Sequence, residues 1–208
     1  MEYLPLILYV TFLNLLAAIS PGPDFVMCVK NSITYSRKVG IFTGIGIALG
    51  LSVHITYCMA GIGLIISKSI IVFNIIKSLG ALYLIYMGIR SIMAKKSKLS
   101  VEENHHSYEL SVLDAIKSGF LTNILNPKAT MFFLALFSMV IRHDTPRFVL
   151  ILISLIMILT AIVWFTIVSV LFSQNWVRNK FLKFEKAINN VFGGLLILLG
   201  LKIAFTHK

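Results

Sequence analysis

The chain has 208 residues, 58% of them apolar and only 13% charged, with a mean hydropathy of +0.90. Soluble domains carry about 25% charged residues, so a water-soluble globule is a poor fit and lipid becomes the solvent to reason in. The net charge of +11 does not point to nucleic acid, because Lys and Arg gather in short stretches between apolar runs, a pattern that orients a chain in a membrane.

Six stretches are long enough to cross a hydrocarbon core of about 30 Å, which takes about 20 helical residues. They lie near 4–29, 39–66, 69–92, 111–140, 147–172 and 186–206. The first lacks the basic lead of a cleavable signal, its early charge being Glu2, and reads as a span. It is interrupted by Ser20-Pro21-Gly22-Pro23, and Asp24 follows at once, a carboxylate in an otherwise apolar stretch. An ionisable side chain at the bilayer centre costs about 2.5–3.5 kcal/mol on insertion scales, so Asp24 reads as a substrate or proton site.

The second span carries Gly40-x-x-x-Gly44 and Gly46-x-x-x-Gly50, small-residue stripes that let helix backbones approach closely. A nucleotide-binding reading of Gly44-Ile45-Gly46 fails, since no strand precedes it, and no cofactor is called for. The stripe leaves room for a homodimer. His54 follows one turn after Gly50; it is either satisfied by a carbonyl or part of a proton relay. Cys28 and Cys58 lie at or within spans with no metal or disulfide spacing and read as packing residues. Residues 94–110, with His105 and His106, form the one polar stretch and read as a solvated linker, not a metal site.

The fourth span breaks at Pro127, directly before Lys128 and just after Asn123 and Asn126. Proline removes a backbone donor and clashes with the preceding turn, so each break frees groups that need partners in protein or in a wet cavity. Asn123 and Asn126 are placed to bond them, and Asn126 also to touch a substrate. Pro23 and Pro127 stand 104 residues apart, each followed by a charge of opposite sign, and Gly80–Arg90 resembles Gly193–Lys202. Three spans per half then enter the membrane from opposite sides, the inverted-repeat plan of many secondary transporters. The fold expected is therefore all-α and integral to the membrane, with six transmembrane helices in two inverted three-helix repeats (about 1–93 and 111–208) within one domain, the first and fourth helices broken at proline.

Orientation follows from Lys and Arg in the connections. Links after spans one, three and five hold twelve: Lys30, Arg37, Lys38, Arg90, Lys95, Lys96, Lys98, Lys117, Arg178, Lys180, Lys183 and Lys186. The other side holds six: Lys68, Lys77, Arg142, Arg147, Lys202 and Lys208. Both termini are thus expected outside the cytoplasm.

A half-helix starting after each proline offers free amides and a dipole that favour an anionic group. The carboxylate of a zwitterion would meet the amides near Pro127 and Lys128 while its ammonium meets Asp24; alternatively, Asp24 and Lys128 neutralise each other. No nucleophile with its base, and no metal triad, stands in the spans, so an enzyme is not expected. An ion channel or a non-transporting scaffold is the alternative to a carrier, and would not saturate with amino acid.

Several segments together resemble the LysE/RhtB amino-acid exporter family: Ser20-Pro21-Gly22-Pro23-Asp24-Phe25, Ser36-Arg37-Lys38, Gly44–Gly50 with His54, Gly119-Phe120-Leu121-Thr122-Asn123 and Asn126-Pro127-Lys128-Ala129. Within it, Trp164-Phe165-Thr166, Leu171-Phe172 and Phe192-Gly193-Gly194 are similar to the threonine-exporting branch. Asn31–Tyr35 departs from the more basic or glycine-containing lead of the family. The resemblance implies export of threonine, homoserine or a related neutral amino acid across a bacterial inner membrane, driven by protons, with membrane lipid as surroundings.

Overall fold

The computed structural model describes residues 2–94, 110–140 and 145–205, and those residues are helical with no strand. In chain order the helices are α1 (Leu4–Ile19), α2 (Pro23–Thr34), α3 (Arg37–Lys68), α4 (Ile70–Met93), α5 (Val112–Ile124), α6 (Pro127–Val140), α7 (Arg147–Phe172) and α8 (Asn175–Phe205). Four of them, α3, α4, α7 and α8, are each long and apolar enough to cross a membrane. The pairs α1–α2 and α5–α6 pass that test only when taken together, bent by 57° and 59°, so the chain crosses up to six times. The first and fourth spans are the broken ones, as their prolines require.

Each break follows from local sterics. A residue before proline is pushed out of the α region, and Ser20 (φ −61°, ψ 128°) and Gly22 (φ −164°, ψ −178°) are both extended, one before Pro21 and one before Pro23. Pro23 and Pro127 then open α2 and α6, where a missing N–H costs nothing and the fixed φ suits a helix start. The carbonyl of Ala18, in the last turn of α1, accepts from Trp164 Nε1 at 3.0 Å, so one of the groups stranded by the break is satisfied across the bundle.

No glycine among the described residues takes a positive φ, so their value here is space. The second-span stripes face two partners. A Cβ on Gly40 or Gly44 would run into Ser169 or Phe165 of α7, and one on Gly46 would lie 2.1 Å from the Ile116 carbonyl oxygen of α5. Gly119 of α5 returns the contact, since a Cβ there would lie 2.0 Å from the Thr43 carbonyl oxygen. Both stripes therefore serve packing between helices of the same chain. The pairings also fix directions: 40 with 169 and 44 with 165 make α3 and α7 antiparallel, whereas 43 with 119 and 50 with 123 make α3 and α5 parallel. Gly88 faces Gly193 and Gly200 faces Ala81, so α4 and α8 are antiparallel. Alternating passes of six spans have these relations.

Cys28 and Cys58 are fully buried, unpaired thiols in the core. The departing stretch Asn31–Tyr35 is structural: Asn31 Nδ2 donates to Thr43 Oγ1 at 2.9 Å and to Ser118 Oγ at 3.2 Å, tying α2 to α3 and α5. One boundary differs from expectation. The last helix starts at Asn175 and not near 186, because residues 175–185 contain no proline or glycine and place Val177 and Phe181 at a spacing of four against the core. Phe181 stacks on Phe25 (centroids 5.1 Å) and meets Phe172 edge-on (5.0 Å). The polar stretch with Lys95, Lys96, Lys98, His105 and His106, and also Arg142 and Lys208, lies outside the described residues.

Candidate functional site

The two breaks meet face to face. Asn123, in the last turn of α5, donates through Nδ2 to Asp24 Oδ2 at 2.9 Å, and Asn126, just before α6, donates to the same oxygen at 3.1 Å. The other oxygen, Asp24 Oδ1, is buried with no hydrogen-bond partner, as is Asn123 Oδ1. A buried carboxyl oxygen without a donor carries a desolvation penalty that nothing in its surroundings offsets.

Lys128 does not close that gap. Its Nζ donates to Ser20 Oγ at 2.6 Å and stands 4.7 Å over the Phe192 ring, a second favourable setting for an ammonium. Gly22 makes room for it, since a Cβ there would come within 3.1 Å of Nζ. Lys128 and Asp24 thus make no direct hydrogen bond, although the two charges lie close enough to act on each other. Asp24, Lys128, Asn123, Asn126 and Gly22 all line one cavity of about 60 Å³, closed on its apolar side by Phe132, Phe133 and Phe165. At about 10–15 Å³ of such space per water molecule, it has room for about four to six.

The asparagines divide their work unequally. Asn126 Oδ1 accepts from the Lys128 amide at 3.0 Å, capping α6 as expected. That bond takes the amide that the sequence reading reserved for a substrate carboxylate, so the cation offered there is the Lys128 side chain. Asn123 bonds Asp24 and not a freed backbone group, contrary to expectation. Pro21, Pro23 and Pro127 act through the backbone alone. His54 stands behind Asn123: its Nε2 is 3.0 Å from the Asn123 carbonyl oxygen and its Nδ1 2.7 Å from Tyr57 Oη. Donation from Nε2 to the carbonyl leaves Nδ1 to accept from the tyrosine, the carbonyl-satisfied arrangement of the two that the sequence left open.

Comparison with known proteins decides the family. Residues 15–207 match the family described as LysE, LysE type translocator. This chain belongs to the LysE-type translocators. It is similar to the threonine efflux protein of Escherichia coli (strain K12), 29% identical over 205 residues that cover 98% of this chain and 100% of the relative. It is also similar to the threonine efflux protein of Salmonella typhimurium, 30% identical over 200 residues (95% and 97%), and to an uncharacterized membrane protein, YrhP, of Bacillus subtilis, 31% identical over 197 residues (88% and 91%). No solved structure matches. Membership in LysE makes this a multi-pass membrane translocator, which fits a carrier and not an enzyme.

In this LysE translocator several cavity residues carry no charge and escaped the sequence reading. Asn14, three per cent exposed in α1, lines the cavity and donates to the Met157 carbonyl oxygen at 3.2 Å. An asparagine in an apolar helix was the available signal. Phe192, outside that cavity, was visible only as part of the Phe192-Gly193-Gly194 segment, and its contact with Lys128 joins residues far apart in the chain.

Proposed function

We propose that the chain is a secondary active exporter of a neutral amino acid, threonine or homoserine-like, across a bacterial inner membrane, coupled to proton movement. The observation that carries this reading is the divided polar cavity: an acid with one oxygen unpartnered, and a cation held apart from it on its own acceptor. A zwitterion has an ammonium for Asp24 Oδ1 and a carboxylate for Lys128, and small polar amino acids match the limited space. The efflux of threonine named for two relatives supports the same class.

Asp24 binds either the ammonium or a proton, and this exclusion couples amino-acid exit to proton return. The two broken spans belong to two inverted three-helix halves that rock about the cavity, giving alternating access. Supporting this, the α4–α8 contact is built the same way from both sides: a Cβ on Gly88 would meet Gly193 and Ile197, and one on Gly193 would meet Gly88 and Ile92. With both termini outside, the end of α4 faces the cytoplasm.

The test is efflux from cells loaded with labelled threonine, wild type against Asp24→Asn at equal membrane abundance. Loss of at least about tenfold in rate is expected, equivalent to about 1.4 kcal/mol or more of lost binding or coupling. Normal export by the variant would make Asp24 structural and remove the scheme.

A further inference from the structure

A second cavity, of about 280 Å³, shares Ser20, Gly22, Phe25 and Lys128 with the first but contains neither Asp24 nor the asparagines. Its other walls are the last two turns of α4, which bring Arg90 and Ser91, and the middle of α8, which brings Glu185 and Asn189. Lys128 thus stands in the partition between two chambers.

The charges in the outer chamber are unusual for their positions. Val177, Phe181, Glu185 and Asn189 follow one another at a spacing of four, the core-facing row of α8, and yet the third is an acid only 2% exposed. Packing alone would place an apolar residue there; ionisable groups inside a bundle pair with one another and mark substrate or ion paths, and Glu185 has an interaction partner of its own. Arg90 lines the same chamber and is exposed, and its guanidinium stands 6.0 Å from the centre of the ring of Tyr86, a residue outside the chamber walls. A chamber whose walls include Arg90, Lys128 and Glu185 has both signs of charge within reach of a zwitterion, as the inner one does.

We propose that the outer chamber is a loading site for the transported amino acid, its carboxylate held by Arg90 and Lys128 and its ammonium by Glu185, before it passes to Asp24. This rests on the exporter reading above. Because Lys128 belongs to both chambers, the carboxylate keeps one cation throughout, and transfer consists of releasing Arg90 and exchanging Glu185 for Asp24 at the ammonium. No charge is left without a partner midway, which is where an unassisted transfer through apolar protein would be slowest.

Uptake of labelled threonine and homoserine into inverted membrane vesicles, which present the cytoplasmic face, tests this with the whole chain. For whichever amino acid the wild type moves, Arg90→Gln should raise the half-saturating concentration about tenfold, as expected for losing a charge-assisted bond, with little change in maximal rate. Arg90→Lys, which keeps the charge, should recover most of the affinity. Arg90 is exposed, so its replacement does not threaten folding; Glu185→Gln serves as the second variant and should weaken half-saturation in the same direction. Unchanged half-saturation in both, or a fall in maximal rate alone, overturns the loading site while leaving the inner site intact. Vesicles whose wild type moves neither amino acid overturn the exporter reading, and this one with it.

Discussion

At the scale of single residues, the site depends on keeping an acid and a base near each other without letting them pair. Ser20 and Phe192 hold the Lys128 ammonium, and two asparagine amides hold one oxygen of Asp24. Ser20→Ala removes the hydroxyl acceptor and should weaken half-saturation by threonine roughly tenfold, at unchanged membrane abundance, since bonds to charged groups are worth about 1.5–3 kcal/mol. Gly22→Ala makes a similar test by crowding: the added methyl meets only the far end of a flexible lysine at 3.1 Å, so the fold should persist while the ammonium shifts and transport slows. An abundance loss without a kinetic change in either variant would show that the Lys128 setting serves folding. Asp24, Lys128, Asn123 and Asn126 were legible because a proline break and an ion in the same apolar span both need polar surroundings, and lipid supplies none. Their partners were not legible. Ser20 and Lys128 lie 108 residues apart, and which acceptor a lysine chooses is decided by three-dimensional packing, not by its neighbours in sequence.

Among the helices, glycine positions distinguish close packing from slack. Gly46 and Gly119 press their Cα atoms against carbonyl oxygens of the facing helix, so Gly46→Val or Gly119→Ala must separate α3 from α5. Overpacking of this kind costs about 1–3 kcal/mol or more, and the purified variants should show a clear loss of monodisperse protein and a lower Tm. Gly61→Ala and Gly194→Ala, whose added Cβ atoms meet nothing within 4 Å, should behave as the wild type. The stripes were visible in the sequence as four-residue spacings, but not that one faces α7 and the other α5; spacing reports that backbones approach, and not which ones. The start of α8 was misjudged for a related reason. Hydropathy falls in the basic stretch from Asn175, yet helix formation there needs only the row formed by Val177 and Phe181 and the absence of a breaker.

For the whole molecule, the claim is that two oppositely inserted halves share one wet site. The Lys and Arg distribution predicts that a Ser97→Cys label is reached only from the cytoplasmic side, against a low background because Cys28 and Cys58 are buried. Labelling from outside would reverse the topology and with it the loading side. Four apolar spans and the two bent helix pairs at the prolines were legible from apolar length and proline alone. Helix directions came from the glycine contacts, since no sequence pattern states which spans touch. The central claim, that Asp24 holds a proton or an ammonium in turn, is tested most directly in sealed vesicles carrying the purified chain, by recording internal pH while a threonine gradient is imposed. The wild type should move protons against the threonine flow, and Asp24→Asn should abolish that proton movement; proton movement in the variant equal to that of the wild type would contradict the account.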